Sequence, residues 1–144
     1  MPVSPLEPTL DAKWRFMWKI GERPDGASDD FPQVIPESFP DWETKMNKWG
    51  GKLHSAVFTI AEMAAIGMGI EADAFTKRME GGAHLLAPTG SDLEKNDVGA
   101  IFAGFHYDIS FMTIHGKSRY PGLYVWTRDW QKKAVKIPPG CLLI

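Results

Sequence analysis

The chain has 144 residues, enough for one domain with a modest core. Hydrophobic residues make up 44% and charged residues 24%, and the net charge of −2 argues against the clustered basic footprint of a nucleic-acid-binding domain. Cys141 is the only cysteine, which rules out an intrachain disulfide and suits a reducing, cytoplasmic setting.

The opening Met1-Pro2-Val3-Ser4-Pro5 has no basic segment leading into an apolar one, so no signal peptide is read there. Residues 1–12 hold three prolines and read as an irregular lead-in. Residues 14–19 are apolar and basic, suiting a short strand or a helical turn. Residues 21–40 carry Pro24, Gly26, Pro32, Pro36 and Pro40 among several acids, the composition of an extended surface loop.

A long amphipathic helix is predicted next, with Asp41 as its N-cap after Pro40. Trp42, Met46, Trp49, Leu53, Val57, Ile60 and Ala64 recur at spacings of three and four. Gly50-Gly51 interrupts that stripe and signals a bend or a close contact, and Gly67 and Gly69 end it. The longest apolar stretch, residues 56–70, contains Glu62 and is too short to span a bilayer, so no membrane partner is expected. A shorter helix over residues 72–79 stops at Gly81-Gly82.

After Gly82 the pattern turns to strands. Residues 83–87 read as a strand, 88–91 as a turn, and 98–114 as one or two strands bent at Gly99 and Gly104. Tyr120-Pro121-Gly122 is a turn. Residues 123–126 and 130–137 form a hairpin candidate across Thr127-Arg128-Asp129. Pro138-Pro139-Gly140 turns the chain into an apolar strand at residues 141–144. The six tryptophans are many for this length and supply large areas for burial in a small core.

Gly104-Phe105-His106-Tyr107-Asp108 carries the most chemistry. On a strand, His106 and Asp108 project to one face because side chains alternate with period two. His-x-Asp makes up two positions of the 2-His-1-carboxylate triad that holds non-heme Fe(II). The same alternation serves a plain reading, in which Phe105, Tyr107, Ile109 and Phe111 pack inward while His106, Asp108 and Ser110 face water.

The motifs that follow favour the metal reading. Phe111-Met112-Thr113-Ile114, Pro121-Gly122-Leu123-Tyr124-Val125, Val135-Lys136-Ile137-Pro138-Pro139-Gly140 and Cys141-Leu142-Leu143-Ile144 come after His106-Tyr107-Asp108 in order. In this order and spacing the chain resembles the 2-oxoglutarate- and Fe(II)-dependent oxygenases of the isopenicillin-N-synthase-like group. The resemblance covers residues 98–144, and the preceding helices are similar to that family's N-terminal region.

The resemblance implies an α+β fold: N-terminal helices, then strands of a double-stranded β-helix (jelly-roll) core, incomplete at its C-terminus. It implies a single domain over 1–144, with residues 1–82 as a loop and helical front and 83–144 as the first jelly-roll strands. It implies an Fe(II)-dependent oxygenase that uses 2-oxoglutarate as cosubstrate and oxidises a small organic substrate. His106 and Asp108 are the implied metal ligands. The family also has a distal His and an Arg-x-Ser, and neither occurs before Ile144. Where the family often has a Tyr for the cosubstrate, this chain has Leu86-Ala87-Pro88.

The isolated chain is therefore expected to be catalytically inactive. The alternative is a catalytically incomplete fragment or a metal-free interaction module, self-associating through an open strand edge after Ile144. A cupin-like protein of the same architecture is a third possibility, but the run around His106 lacks the extra His or Glu ligands it predicts.

The remaining motifs have plainer readings. His115 lies on the opposite face from His106 in a continuous strand and reads as a turn or strand-edge residue. His54 flanks the helical stripe, and His84 opens a strand, where a structural role is favoured over an approach to a pocket. Gly67-Met68-Gly69 lacks the preceding strand and third Gly of a dinucleotide fingerprint. Cys141 reads as a small buried hydrophobe. Lys117, Arg119, Arg128, Lys132, Lys133 and Lys136 read as a solvated basic hairpin face.

Overall fold

The computed structural model describes residues 11–23, 25, 26 and 31–144. Most of the predicted lead-in, together with Pro24 and residues 27–30 of the predicted loop, lies outside the described residues. The chain divides into two compact units, Met1–Tyr107 and Asp108–Ile144.

In the first unit, strand β1 (Trp14–Arg15) pairs with β4 (Thr89–Gly90), and β2 (Trp18–Lys19) pairs with β3 (Leu85–Leu86), both antiparallel. The two pairs share one register. Trp14 opposes Gly90 and Trp18 opposes Leu86. Between and beyond them, Phe16 N–H donates to Pro88 O at 2.9 Å and Ile20 N–H to His84 O at 3.1 Å. Residues 14–20 and 84–90 thus form one antiparallel ribbon. It is interrupted opposite Pro88, which has no N–H to return to Phe16. Residues 88–91, expected as a turn, contribute β4 to this ribbon. Gly90 suits its place there because a Cβ on it would come 2.4 Å from the Trp14 ring.

Helix α1 (Trp42–Gly67) forms where the three-and-four spacing predicts. It ends at its glycines, and Gly69 takes a left-handed φ of +72°. Asp41 precedes the helix without a side-chain capping bond and instead pairs with Lys45 one turn on. The buried stripe runs through Met46, Gly50, Ala61 and Ala65, with His54, Val57 and Phe58 half-buried between them. This stripe is rotated from the predicted one, and Trp49 is exposed. The small residues win the inner face because they let α1 lie close to the ribbon and to helix α2 (Thr76–Met79). Helix α2 is shorter than predicted.

Trp18 anchors the core, with only 1% of its surface exposed, and its Nε1–H donates to Asn47 Oδ1 at 2.8 Å. Burying a whole indole this way requires a partner for its one polar atom. Among the described residues, Ala61, Ala65, Met46 and Met79 complete the buried apolar set, and Thr76 is the buried polar residue. Trp42 stacks edge-on against Phe16, ring centroids 5.0 Å apart.

Residues 98–114, expected as strands, form none. Period-two alternation makes a strand only where a neighbour takes up the backbone donors and acceptors. Here Ala100 N–H bonds back to Asp97 O, and Gly104 N–H goes to a side chain.

In the second unit, β5 (Tyr124–Trp126) and β6 (Lys132–Ala134) make the predicted antiparallel hairpin. Its loop is closed by Thr127 N–H to Gln131 O at 3.1 Å, and Trp130 takes a left-handed φ of 61° within it. Lys132 places its ammonium 4.1 Å from the Tyr124 ring centroid and 5.4 Å from that of Trp126. Residues 141–144 contribute one isolated antiparallel bridge, His115 with Leu143. Cys141 is exposed with a free thiol rather than buried. Among the described residues, the strands form three two-stranded sheets, and no helix is long and apolar enough to cross a membrane.

Candidate metal centre

His106 lies near the end of the first unit, on the irregular segment that replaces the expected strand. A chain of polar contacts fixes its ring. Asp11 Oδ1 accepts the Gly104 N–H at 2.8 Å. The Gly104 carbonyl lies 2.7 Å from His106 Nδ1. A carbonyl oxygen can only accept, so Nδ1 carries the proton and donates. In neutral His106 the imidazole lone pair therefore sits on Nε2. Metal-binding histidines are commonly held this way, one ring nitrogen donating to a carbonyl and the other directed at the metal.

Asp11 is itself held. Its Oδ2 lies 2.7 Å from Lys13 Nζ. The Lys13 hydrogen bond, then the Gly104 N–H, hold the Asp11 carboxyl below the usual carboxylate range. Partial desolvation opposes them, and the Lys13 and His106 charges add to the lowering. Ala12 N–H to Ile101 O at 3.3 Å is a second tie between the start of β1 and this segment. No local pattern in the sequence points to the clamp of Asp11, Lys13 and Gly104. Its one legible signal is the Gly two residues before the histidine.

Asp108 opens the second unit and is exposed. With no strand through residues 106–108, strand alternation is not what sets the directions of the two side chains. Their donor chemistry, a carbonyl-anchored imidazole and a carboxylate two residues on, fits two positions of an Fe(II) centre. Among the described residues, no three His, Cys, Asp or Glu side chains gather in a metal-binding group. His115 keeps to the strand-edge role expected of it, bonding through its backbone to Leu143 in both directions at 2.8 and 3.0 Å.

The structure also brings together two histidines that the sequence kept apart. His54 on α1 and His84 at the foot of β3 meet edge to face, with ring centroids 4.6 Å apart. Phe58, one turn along α1, lies 4.4 Å from His54 and 5.8 Å from His84. His84 Nε2 is 2.8 Å from Met79 O and so acts as the donor there. Burial, and then the neighbouring His84, push the His54 imidazole below its ordinary value. These rings line a cleft of about 400 Å³ whose other residues include Gly21, Glu22 and Glu80. Gly50, one turn before His54, was the available signal: a small residue there draws its face of the helix inward.

No protein-family profile, curated protein or solved structure matches the chain.

Proposed function

We propose that this chain is an Fe(II)-dependent oxygenase that uses 2-oxoglutarate to oxidise a small organic substrate, with His106 and Asp108 as two of the metal ligands. The proposal includes the jelly-roll architecture and a cytoplasmic location, where a free, exposed Cys141 remains reduced. One observation carries it: the His106 Nδ1–H donates to the Gly104 carbonyl at 2.7 Å, which puts the lone pair of the neutral ring on Nε2. The ordered motifs after Asp108 support the same reading.

When bound, the iron supplies the oxidising chemistry, and the protein's part is to hold and orient it. His106 must be neutral to ligate, and its proton stays on Nδ1. Asp11 fixes the Gly104 peptide that receives that proton, and Lys13 fixes Asp11. Asp108 contributes negative charge, which favours a divalent cation over a neutral ligand.

The test uses the 144-residue chain, with Co(II) absorption as the binding readout and succinate release from 2-oxoglutarate with Fe(II) as the activity readout. Metal binding lost in both His106→Ala and Asp108→Ala is the expected result. Binding that ignores both substitutions overturns the site. Metal binding without succinate release is the result expected of two protein ligands, and it favours the incomplete-site form of the reading. Robust turnover abolished by His106→Ala removes that form and leaves a complete enzyme. A chain that binds no metal at all is the interaction module of the alternative reading.

A further inference from the structure

We infer that the cleft beside His54 and His84 binds a small organic cation, an ammonium group carried on an apolar or aromatic body. Phe58 and the two imidazoles form the wall for that body, and Glu22 and Glu80 face its charge. The site lies within the first unit and is independent of the His106–Asp108 reading.

Four observations support this. The first is charge. Glu22 and Glu80 line the cleft, and neither forms an ion pair with a described cation. Among the described residues, no Lys or Arg lines it. Two glutamates at one concavity lower the cost of bringing in a cation and raise the cost of an anion.

The second is the state of the rings. The His84 Nε2–H is committed to the Met79 carbonyl, so Nδ1 is the acceptor side of that ring when it is neutral. His54 resists protonation because it is partly buried and faces His84. It therefore adds no positive charge to compete with a bound ammonium at neutral pH. Phe58 lines the same cleft, and an aromatic ring there attracts a cation through its π-system.

The third is shape. The cleft volume of about 400 Å³ falls in the lower part of the range of small-molecule sites. Gly21 keeps it open at the His54 edge. Its φ of +77° is a left-handed value that suits glycine, and a Cβ there would lie 3.1 Å from His54 Nε2.

The fourth separates an organic cation from a metal ion. The two imidazoles face each other as a packed edge-to-face pair, one with a nitrogen already bonded. Neither they nor the glutamates belong to a three-donor group among the described residues.

The experiment titrates the full chain with benzylammonium at pH 7.5 and low salt, following the imidazole Cε1–H resonances of His54 and His84 by NMR. Benzyl alcohol and benzoate present the same ring with no charge and with a negative charge. We expect saturable shifts with benzylammonium, binding about tenfold weaker with benzyl alcohol, and none with benzoate. The Glu22→Gln/Glu80→Gln double variant alters two exposed side chains. It should keep the amide spectrum and lose about tenfold in benzylammonium affinity. Phe58→Leu should weaken benzylammonium and benzyl alcohol together. Equal affinity for the three probes, no shift with benzylammonium, or undiminished affinity in a folded double variant each overturns the inference.

Discussion

Ile20 sets its Cγ2 methyl against the bare α-carbon of Gly50, so closely that a Cβ there would come within 2.4 Å of it. Ile20 continues the ribbon beside His84, and Gly50 sits on the inner stripe of α1, so this contact sets how near helix and ribbon approach. Gly50→Ala gains up to about 1 kcal/mol of helix propensity but meets an overpacking cost of about 1–3 kcal/mol. We expect net destabilisation of about 1 kcal/mol, on the same balance. Gly51 has open space where its Cβ would go, so Gly51→Ala should raise stability by up to about 1 kcal/mol. Urea midpoints of the two variants check this pair, and movement in the same direction would count against the close approach.

Asn47→Ala should cost about 1–3 kcal/mol, although Asn47 is itself exposed. The loss falls on Trp18, whose buried Nε1–H has Asn47 Oδ1 as its bonded acceptor. Trp18→Phe in the Asn47→Ala background should add less than Trp18→Phe alone, because the polar atom is already orphaned. A double-mutant cycle by chemical denaturation measures the coupling. Full additivity would show that the bond carries no stability.

Stability should fall as pH drops below neutrality, and His54 should be one cause. Its pKa in the folded protein lies below the ordinary imidazole value of about 6.5, through burial and then His84. The unfolded chain therefore takes up the proton first as pH falls. The contribution is fully present above about pH 6.5 and is lost as pH falls through the depressed folded value. In His54→Gln the pH dependence of the urea midpoint should be shallower between pH 7 and 5. An unchanged slope would assign the dependence to other groups.

Asp11→Asn tests the clamp under His106. The amide can still accept the Gly104 N–H, but it loses its charge pairing with Lys13. Asp11→Ala loses both. On the proposed metal reading, Co(II) affinity should fall about 10- to 100-fold for Asp11→Ala and less for Asp11→Asn. Equal affinity in both variants and the parent chain would separate the clamp from metal binding.

The helix and the hairpin were legible in the sequence because their signals are local. Met46 and Val57 sit at helical spacing, and the Leu123–Trp126 and Trp130–Ile137 runs flank a short polar turn. The inner face of α1 lies a fraction of a turn from the one the spacing predicts. Large apolar residues such as Trp49 weigh most in a periodicity count, whereas close packing against Ile20 selects glycine and alanine. Residues 98–114 alternate like a strand, but alternation does not supply a pairing neighbour. Of the candidate site, the donors His106 and Asp108 could be named from the sequence. Asp11 could not, because its link to Gly104 spans most of the first unit. His54 with His84 is likewise a pairing of distant segments, invisible to any local pattern.

The ribbon between residues 14–20 and 84–90 has a consequence for how the chain folds. Both helices lie on the loop it closes, so its strands must find each other across nearly the whole first unit. The hairpin of the second unit joins neighbours across residues 127–131 alone. Hairpins close in about 1–10 μs, whereas pairings of high sequence separation must first overcome the entropy of a long loop. Refolding followed by tryptophan emission should therefore be biphasic. Trp126 and Trp130 report an early phase, and Trp18 reports a later one that begins only when the far ends of the first unit have met.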